Sequence, residues 1–202
     1  MKKRTIIACG AAIFTLIVCF SMVACTLGKS KKVSYEEKLK QFISEDFGAS
    51  LMSMLAIDKD TMDDFYLLDP IYFNTVETIN NPNIILPIAD ASGNIRYLYY
   101  VSDVNGYAST MSSAITPLLN TLKDHGSETV FLYQDDHDIY ASINGKWFMQ
   151  QSDGSVEELS DKKAQEIQKI FGKVKLVSSS FQKHDEYTAA AKKSYENLQS
   201  KK

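Results

Sequence analysis

The first thirty residues constrain the chain most, because they set one segment apart from the folded body. Residues 1–5 carry Lys2, Lys3 and Arg4, and residues 6–24 then run for nineteen positions without a charge. A cationic start before an uncharged apolar stretch is typical of an export signal. Nineteen helical residues would also reach about 28 Å, enough to cross a hydrocarbon core, so an uncleaved anchor stays open as an alternative.

The end of this segment, Met22-Val23-Ala24-Cys25, resembles the lipobox of bacterial lipoproteins, with Met22 where leucine is commonest. The resemblance implies a signal peptide over residues 1–24 and cleavage before Cys25. It also implies a diacylglycerol group on the Cys25 sulfur, with fatty chains such as palmitate. The expected location is the extracytoplasmic side of a cell membrane, most typically in a Gram-positive envelope.

Cysteine use and charge limit what the exported part can be. No cysteine follows Cys25, so an intrachain disulfide and a cysteine-rich zinc site are both excluded there. The 178 residues that remain of 202 after the first 24 are enough to bury about 70% of the unfolded surface. Loss of Lys2, Lys3 and Arg4 takes the formal net charge from −3 to −6. An acidic body whose only remaining arginine is Arg96 predicts no nucleic-acid partner.

We expect three regions: a signal peptide over 1–24, a short lipidated tether over 25–33, and one globular domain over 34–202. Within the tether, Lys29, Lys31 and Lys32 either touch anionic lipid head groups or are simply solvated.

The domain pattern predicts an α+β fold. We expect an antiparallel sheet of about five or six strands, a central helix packed on it, and flanking helices at both ends. A capping box at 34–37 predicts a first helix that stops at Gly48. Residues 49–68 keep helical spacing only in part, and a second short helix starting at 61 stays open. The expected strands lie at 71–76, 84–88 with Pro87 as its limit, 95–102, 129–134, 138–144, 146–150 and 174–177. The later helices are expected at 111–122, 160–171 and 185–198, the last being peripheral.

Few residues suggest chemistry. Residues 135–138 concentrate three carboxylates and His137, which suits a divalent cation or, as the alternative, a solvated hairpin turn. Ser160 and Lys163 match a Ser-x-x-Lys pattern, but its companion motifs are missing and helix capping explains the serine. We therefore predict no catalytic residues, no metal and no cofactor.

Aromatic residues are the more distinctive feature. Tyrosines crowd the predicted hairpins, and the candidate ligand-binding residues are Tyr97, Tyr99, Tyr100 and Trp147. On an exposed sheet face such side chains offer rigid apolar area with a polar tip, which suits a peptide or a glycan. The alternative is that they fill the sheet core and its rim.

Residues 84–97 resemble the non-catalytic propiece or inhibitor-like modules of secreted bacterial peptidases. The plan of a lipid-anchored α+β domain is similar to that of lantibiotic immunity lipoproteins, which intercept a peptide at the membrane. We therefore expect a protein that binds a peptide, a protein or another envelope component without catalysis. A small-molecule or ion sensor is the first alternative, and an envelope hydrolase is the second.

Overall fold

The computed structural model describes residues 35–62, 64–75, 83–102, 108–126, 130–135, 138–171 and 179–200. The chain divides into two compact units, Met1–Glu37 and Lys38–Lys202. Residues 35–37 are the only described part of the first unit, and all other described residues belong to the second. Cys25, the signal segment, the tether and the strand expected at 174–177 all lie outside the described residues. No helix in the described ranges is long and apolar enough to span a membrane.

The described elements confirm the α+β class. In chain order they are α1 Tyr35–Glu45, α2 Phe47–Asp58, β1 Phe65–Leu67, β2 Ile71–Thr75, β3 Asn83–Asp90, β4 Ile95–Ser102, β5 Ala108–Ser112, α3 Thr116–Asp124, β6 Val130–Asp135, β7 Asp138–Ile143, β8 Lys146–Gln150, β9 Val156–Glu158, α4 Asp161–Phe171 and α5 Asp185–Gln199.

The sheet is wider than the sequence indicated. The described residues form nine strands in the order β5-β4-β3-β2-β6-β7-β8-β9, and β1 pairs with β3 beside β2. Every pairing between described strands is antiparallel except that of β2 with β6, which is parallel. The strands missed by sequence are β1, β5 and β9, which have three, five and three residues.

The central helix α3 covers one face of the sheet. Its Leu118, Leu119 and Leu122 are fully buried and pack in one cluster with Leu98 of β4 and Phe148 of β8. Pro117 stands in the first turn of α3, where its missing N–H breaks no helical hydrogen bond. Gln150 fixes the start of this helix, since its amide donates to the Ala114 carbonyl at 2.8 Å and accepts from the Leu118 N–H at 3.3 Å.

The opposite face is covered in two places. Beneath β4, the Tyr99 ring meets Phe47 of α2 edge-on, with 5.3 Å between the ring centroids. Helix α5 packs against α2 and β1. Beneath β7 and β8, a separate cluster forms against α4 from Tyr140, Trp147, Met149, Leu159 and Ile167.

Gly48 does not end the first helix, which corrects the sequence interpretation. The break falls at Asp46, and Gly48 lies inside α2. A Cβ built at Gly48 would lie 2.5 Å from the backbone oxygen of Ser194 in α5. The glycine is therefore needed for close helix packing rather than for a helix stop.

Pro87 does not limit its strand either, because β3 continues to Asp90 in the interior of the sheet. On one side of β3, Ile71 of β2 pairs with Ile85, whereas Leu67 of β1 pairs with Ile88. Pro87 sits between these two ladders, and its carbonyl accepts from the Leu68 N–H at 3.0 Å. The missing N–H of Pro87 thus lies between the part of β3 that pairs with β2 and the part that pairs with β1.

Strands β4 and β5 each depart from the simple sequence pattern. Ile95 packs with Leu98 in the α3 cluster, although strict alternation along β4 would place these two residues on opposite faces. A register shift between Ile88 and Ala89, opposite Tyr97 and Ile95, accounts for the change of face. Met111 belongs to strand β5 rather than to the helix expected from 111, and α3 begins only at Thr116.

Candidate functional site

Three of the four candidate aromatic residues are buried and the fourth is half-buried, so they do not form an open binding face. Tyr97, Tyr99 and Trp147 are 2%, 0% and 6% exposed, and Tyr100 is half-buried against the α3 cluster. Of the two interpretations that the sequence leaves open, the structure supports the one in which these residues fill the sheet core and its rim, and not an exposed aromatic face. The physical reason is that helices cover both faces of the sheet where these residues lie, so alternation turns each side chain toward a helix.

Burial keeps these tyrosines protonated. It raises the pKa of Tyr100 to about 12. It also raises the pKa of Tyr97 to about 12, with the Asp58 carboxylate adding to the effect. The pKa of Tyr99 is raised as well, mainly by burial and further by Asp46. Each phenol therefore stays protonated at pH values where a solvent-exposed tyrosine already ionises.

A groove of about 330 Å³ opens between α2 and β5. One wall is the face of α2, and the other is the outermost strand of the sheet. The described residues that line it are Asp46, Ala49, Ser50, Ser53, Met54, Ile57, Ser109, Thr110 and Met111. Among these nine, Asp46 is the only charged side chain. Ile57 is 74% exposed.

Asp46 holds a special position in the groove. It stands at the break between α1 and α2, yet its carboxylate makes no capping hydrogen bond to the start of α2. Instead its Oδ2 accepts from the Ser109 hydroxyl at 2.5 Å and from the Ser50 hydroxyl at 2.9 Å. The Tyr99 hydroxyl lies 3.3 Å from the same oxygen and 3.2 Å from the Phe42 carbonyl. One strand, one helix and the sheet core thus meet at a single carboxylate.

The groove runs along the edge of the sheet. Strand β5 pairs with β4 on one side, and no described strand pairs with its other side. Three successive residues of β5, from Ser109 to Met111, line the groove. Because neighbouring residues of a strand point to opposite faces, this lining means that the groove follows the strand edge rather than one face.

Other polar groupings in the described chain have structural partners. Arg96 joins the carboxylates of Asp60 and Asp90 at the end of the β3–β4 hairpin. The Ser180 hydroxyl donates to Asp69, and His184 caps α5 by accepting from the Tyr187 N–H. A smaller cavity of about 190 Å³, lined by Phe65, Lys192, Tyr195, Glu196 and Gln199, lies beside α5.

The structure describes the Ser-x-x-Lys pattern in full and the acidic turn at 135–138 only in part. Lys163 pairs with Glu157 at 3.3 Å, and Ser160 precedes α4, where its carbonyl accepts from the Ala164 N–H. In the acidic turn, Asp138 accepts from the Tyr140 hydroxyl at 3.2 Å, whereas residues 136 and 137 lie outside the described ranges. Within those ranges, no three His, Cys, Asp or Glu side chains converge as metal ligands would.

Sequence reasoning missed the groove. A signal was present, because α2 carries small or hydroxyl side chains at Ala49, Ser50 and Ser53 beside Met54 and Ile57. Such a face is too polar for a core and too uncharged for an ordinary solvated surface. The sequence predicts this helix only in part, because Asp58-Lys59-Asp60 interrupts the helical spacing, and it does not predict β5, the other wall.

Comparisons with known proteins add no identity, since no protein-family model and no curated protein sequence matches this chain.

Proposed function

We propose that this protein is a lipid-anchored lipoprotein on the extracytoplasmic side of a cell membrane. In this proposal it binds an extended segment of a peptide or protein along β5, without catalysis. The observation that carries the proposal is the coincidence of a sheet edge that no described strand pairs with and a groove of about 330 Å³. Strand addition to such an edge supplies backbone hydrogen bonds, and the flanking pocket supplies side-chain selectivity.

The side chains that line the groove add contacts beyond those of the strand edge. Met54 and Ile57 on α2 and Met111 on β5 provide apolar contacts, and methionine adapts its shape to different partners. The serines between them can hydrogen bond to a bound backbone. Sheet edges usually carry charges, prolines or bulges that prevent pairing, whereas β5 has the uncharged sequence ASTMS. These features favour an accessible edge that accepts a partner.

The membrane anchor completes the proposal. Lipid on Cys25 would confine the domain to the membrane surface, where tethering raises its effective concentration toward other membrane-bound molecules. Modest affinity for a short segment is then sufficient. Mass spectrometry of the mature protein should find an amino terminus at Cys25 that carries a diacylglycerol mass. An unmodified terminus, or one at another residue, would contradict the anchoring.

Binding at the edge is tested with a groove-blocking variant. Ser53 is exposed on α2 and lines the groove, so Ser53→Arg should fill it with a long side chain. Ser152→Arg, in the exposed turn after β8, is the matched control. A library of random eight-residue peptides is displayed on RNA–peptide fusions and selected on the wild-type protein. Peptides that also bind Ser53→Arg are then removed by counter-selection.

We expect peptides that bind the wild type and Ser152→Arg but not Ser53→Arg. Hydrogen exchange followed by mass spectrometry should then show that a bound peptide slows exchange in residues 108–112, as backbone pairing requires. If no peptide is enriched, or if enriched peptides protect only other regions, strand addition at β5 is wrong.

A further inference from the structure

The charge of the groove indicates what the bound segment carries. Asp46 is the single charged residue among the described residues that line it. No ion pair between described residues includes Asp46. A carboxylate beside apolar side chains, with no cation to balance it, gains most from a ligand that brings one.

The hydrogen bonds at Asp46 narrow the choice of cation. Its Oδ2 already accepts from the Ser50 and Ser109 hydroxyls, with the Tyr99 hydroxyl also in reach. Its Oδ1 accepts no hydrogen bond from any described residue, so the free capacity of the carboxylate lies on one oxygen. An arginine fork needs both oxygens of a carboxylate, whereas an ammonium group is satisfied by one.

The occupant could instead be a second copy of this chain, paired edge to edge through β5. Such a pair would bring two Asp46 carboxylates toward each other across a short two-fold strand pairing. It would also join two bodies that each carry a net charge of −6 after signal cleavage. Like charges at close range disfavour that arrangement, and a cationic peptide meets no such repulsion.

We infer that the groove selects an extended peptide segment with a lysine side chain whose ammonium group pairs with Asp46. This inference rests on the strand addition proposed above and adds its specificity. An added strand would lie about 4.8 Å beyond β5, and the four-carbon stem of lysine can cross that spacing. Residues two positions away on the same face would then contact Met54, Ile57 or Met111.

The peptides selected on the wild type provide the test. We expect lysine to be enriched at one position, flanked at a spacing of two by apolar residues. Selected peptides are then synthesised with an acetylated amino terminus, which excludes the terminal ammonium as the cation. In matched peptides, that lysine is replaced by norleucine, which keeps the stem but lacks the charge, or by arginine.

Affinity for the wild type should fall about tenfold with norleucine, equivalent to about 1.4 kcal/mol. The arginine peptide should bind more weakly than the lysine peptide. In Asp46→Asn, which keeps the side-chain shape and an acceptor oxygen for Ser50 and Ser109, lysine and norleucine peptides should bind equally. Because the norleucine comparison uses the wild type alone, it stands even if Asp46→Asn folds poorly.

The failures are distinguishable. If bound peptides protect β5 but show no preference for lysine over norleucine, the pairing with Asp46 is wrong and strand addition stands. If arginine binds tightest, a bidentate pairing replaces the single-point one and the lysine assignment is wrong. If the protein elutes as a dimer on size-exclusion chromatography and Ser53→Arg makes it monomeric, the occupant is a second copy and both proposals fail.

Discussion

The two edges of the sheet solve the same physical problem in different ways. At one end, β9 has three residues, and its Glu157 and Glu158 pair with Lys163 and Lys146 at 3.3 and 3.0 Å. At the other end, β5 has five residues and no charge. An unpaired strand is a template for further pairing, and shortness and charge are the usual protection. The β9 edge therefore carries both kinds of protection, whereas the β5 edge lacks charge.

The helix behind each edge sharpens the difference. Helix α4 packs on a small cluster of five buried residues near β9. Helix α2 packs against α5 and also contacts β5, and the groove opens beside the contact with β5. The edge proposed to bind a partner is thus the one beside a helix that a second helix holds. Variants at the two edges test this difference, from the largest expected effect to the smallest.

The largest effect on stability is expected from Gly48→Ala, which disrupts the packing of α2 against α5. The new Cβ would lie 2.5 Å from the Ser194 backbone oxygen, and that carbonyl cannot swing away as a side chain could. The mutation would also strain the hydrogen bond from the Gly48 N–H to the Ser194 hydroxyl. We expect a loss of about 3 kcal/mol in the free energy of unfolding, measured by urea denaturation.

Gly145→Ala is the matched control near the other end of the sheet. A Cβ there meets nothing within 4 Å, and the only penalty is the positive φ of +78°. We expect a loss of about 1 kcal/mol. Equal losses at the two glycines would mean that α5 does not hold α2 in place, and the comparison of supports would fail.

Ile167→Ala tests the support of the β9 edge. Ile167 is 6% exposed and anchors α4 on Trp147 and Met149, in a cluster at the surface that can partly collapse. We therefore expect a loss of about 2 kcal/mol, at the low end for such a truncation, measured by thermal denaturation. Hydrogen exchange should speed up in β8 and β9 but not in β5.

Ile170→Ala on the same helix is the control, because Ile170 is 49% exposed and should change stability by less than about 0.5 kcal/mol. Faster exchange in β5 after Ile167→Ala would show that the two edges are not independently supported.

Tyr99→Phe tests the polar junction at the base of the groove. It removes the hydroxyl that lies near Asp46 and the Phe42 carbonyl, and we expect a loss of about 1 kcal/mol. Tyr100→Phe is the control, since the Tyr100 hydroxyl has no hydrogen bond to a described residue, and it should cost less than about 0.5 kcal/mol. A larger loss at Tyr100 would contradict the role given to the junction.

The melting temperature of Tyr99→Phe should also depend on pH differently from that of the wild type. Burial raises the pKa of Tyr99 above its unfolded value of 10.0, so the unfolded chain loses this proton first as the pH rises. The resulting stabilisation is complete below pH 10 and declines at higher pH. Between about pH 10 and pH 11, the melting temperature of Tyr99→Phe should therefore fall less steeply than that of the wild type. Equal slopes would mean that Tyr99 titrates as an exposed phenol.

The sequence predicts the fold better than the site, and the reason is physical. Long periodic segments and strong turn signals locate α4, α5 and the hairpin at Asn144 and Gly145, both of which have positive φ. The short strands β1, β5 and β9 carry little periodicity, and they exist because neighbouring strands pair with them. Since β5 forms one wall of the groove, the site could not be foreseen without it. The sequence could not predict the burial of Tyr97, Tyr99 and Trp147, because residue type alone does not say which helix covers a sheet face.

The smallest effect is expected at the β9 edge itself. Glu158→Gln removes the ion pair with Lys146. Both side chains of this pair are about half exposed, so the free energy of unfolding should fall by only a few tenths of a kcal/mol. The loss should vanish in 1 M salt, where the pair is screened. If charge is what closes this edge, the variant should also show more self-association than the wild type in sedimentation at low salt.

Thr110→Lys places a charge on the open edge, and it should abolish peptide binding with no comparable change in stability. An unchanged affinity in Thr110→Lys would mean that edge charge does not decide which end of the sheet accepts a partner.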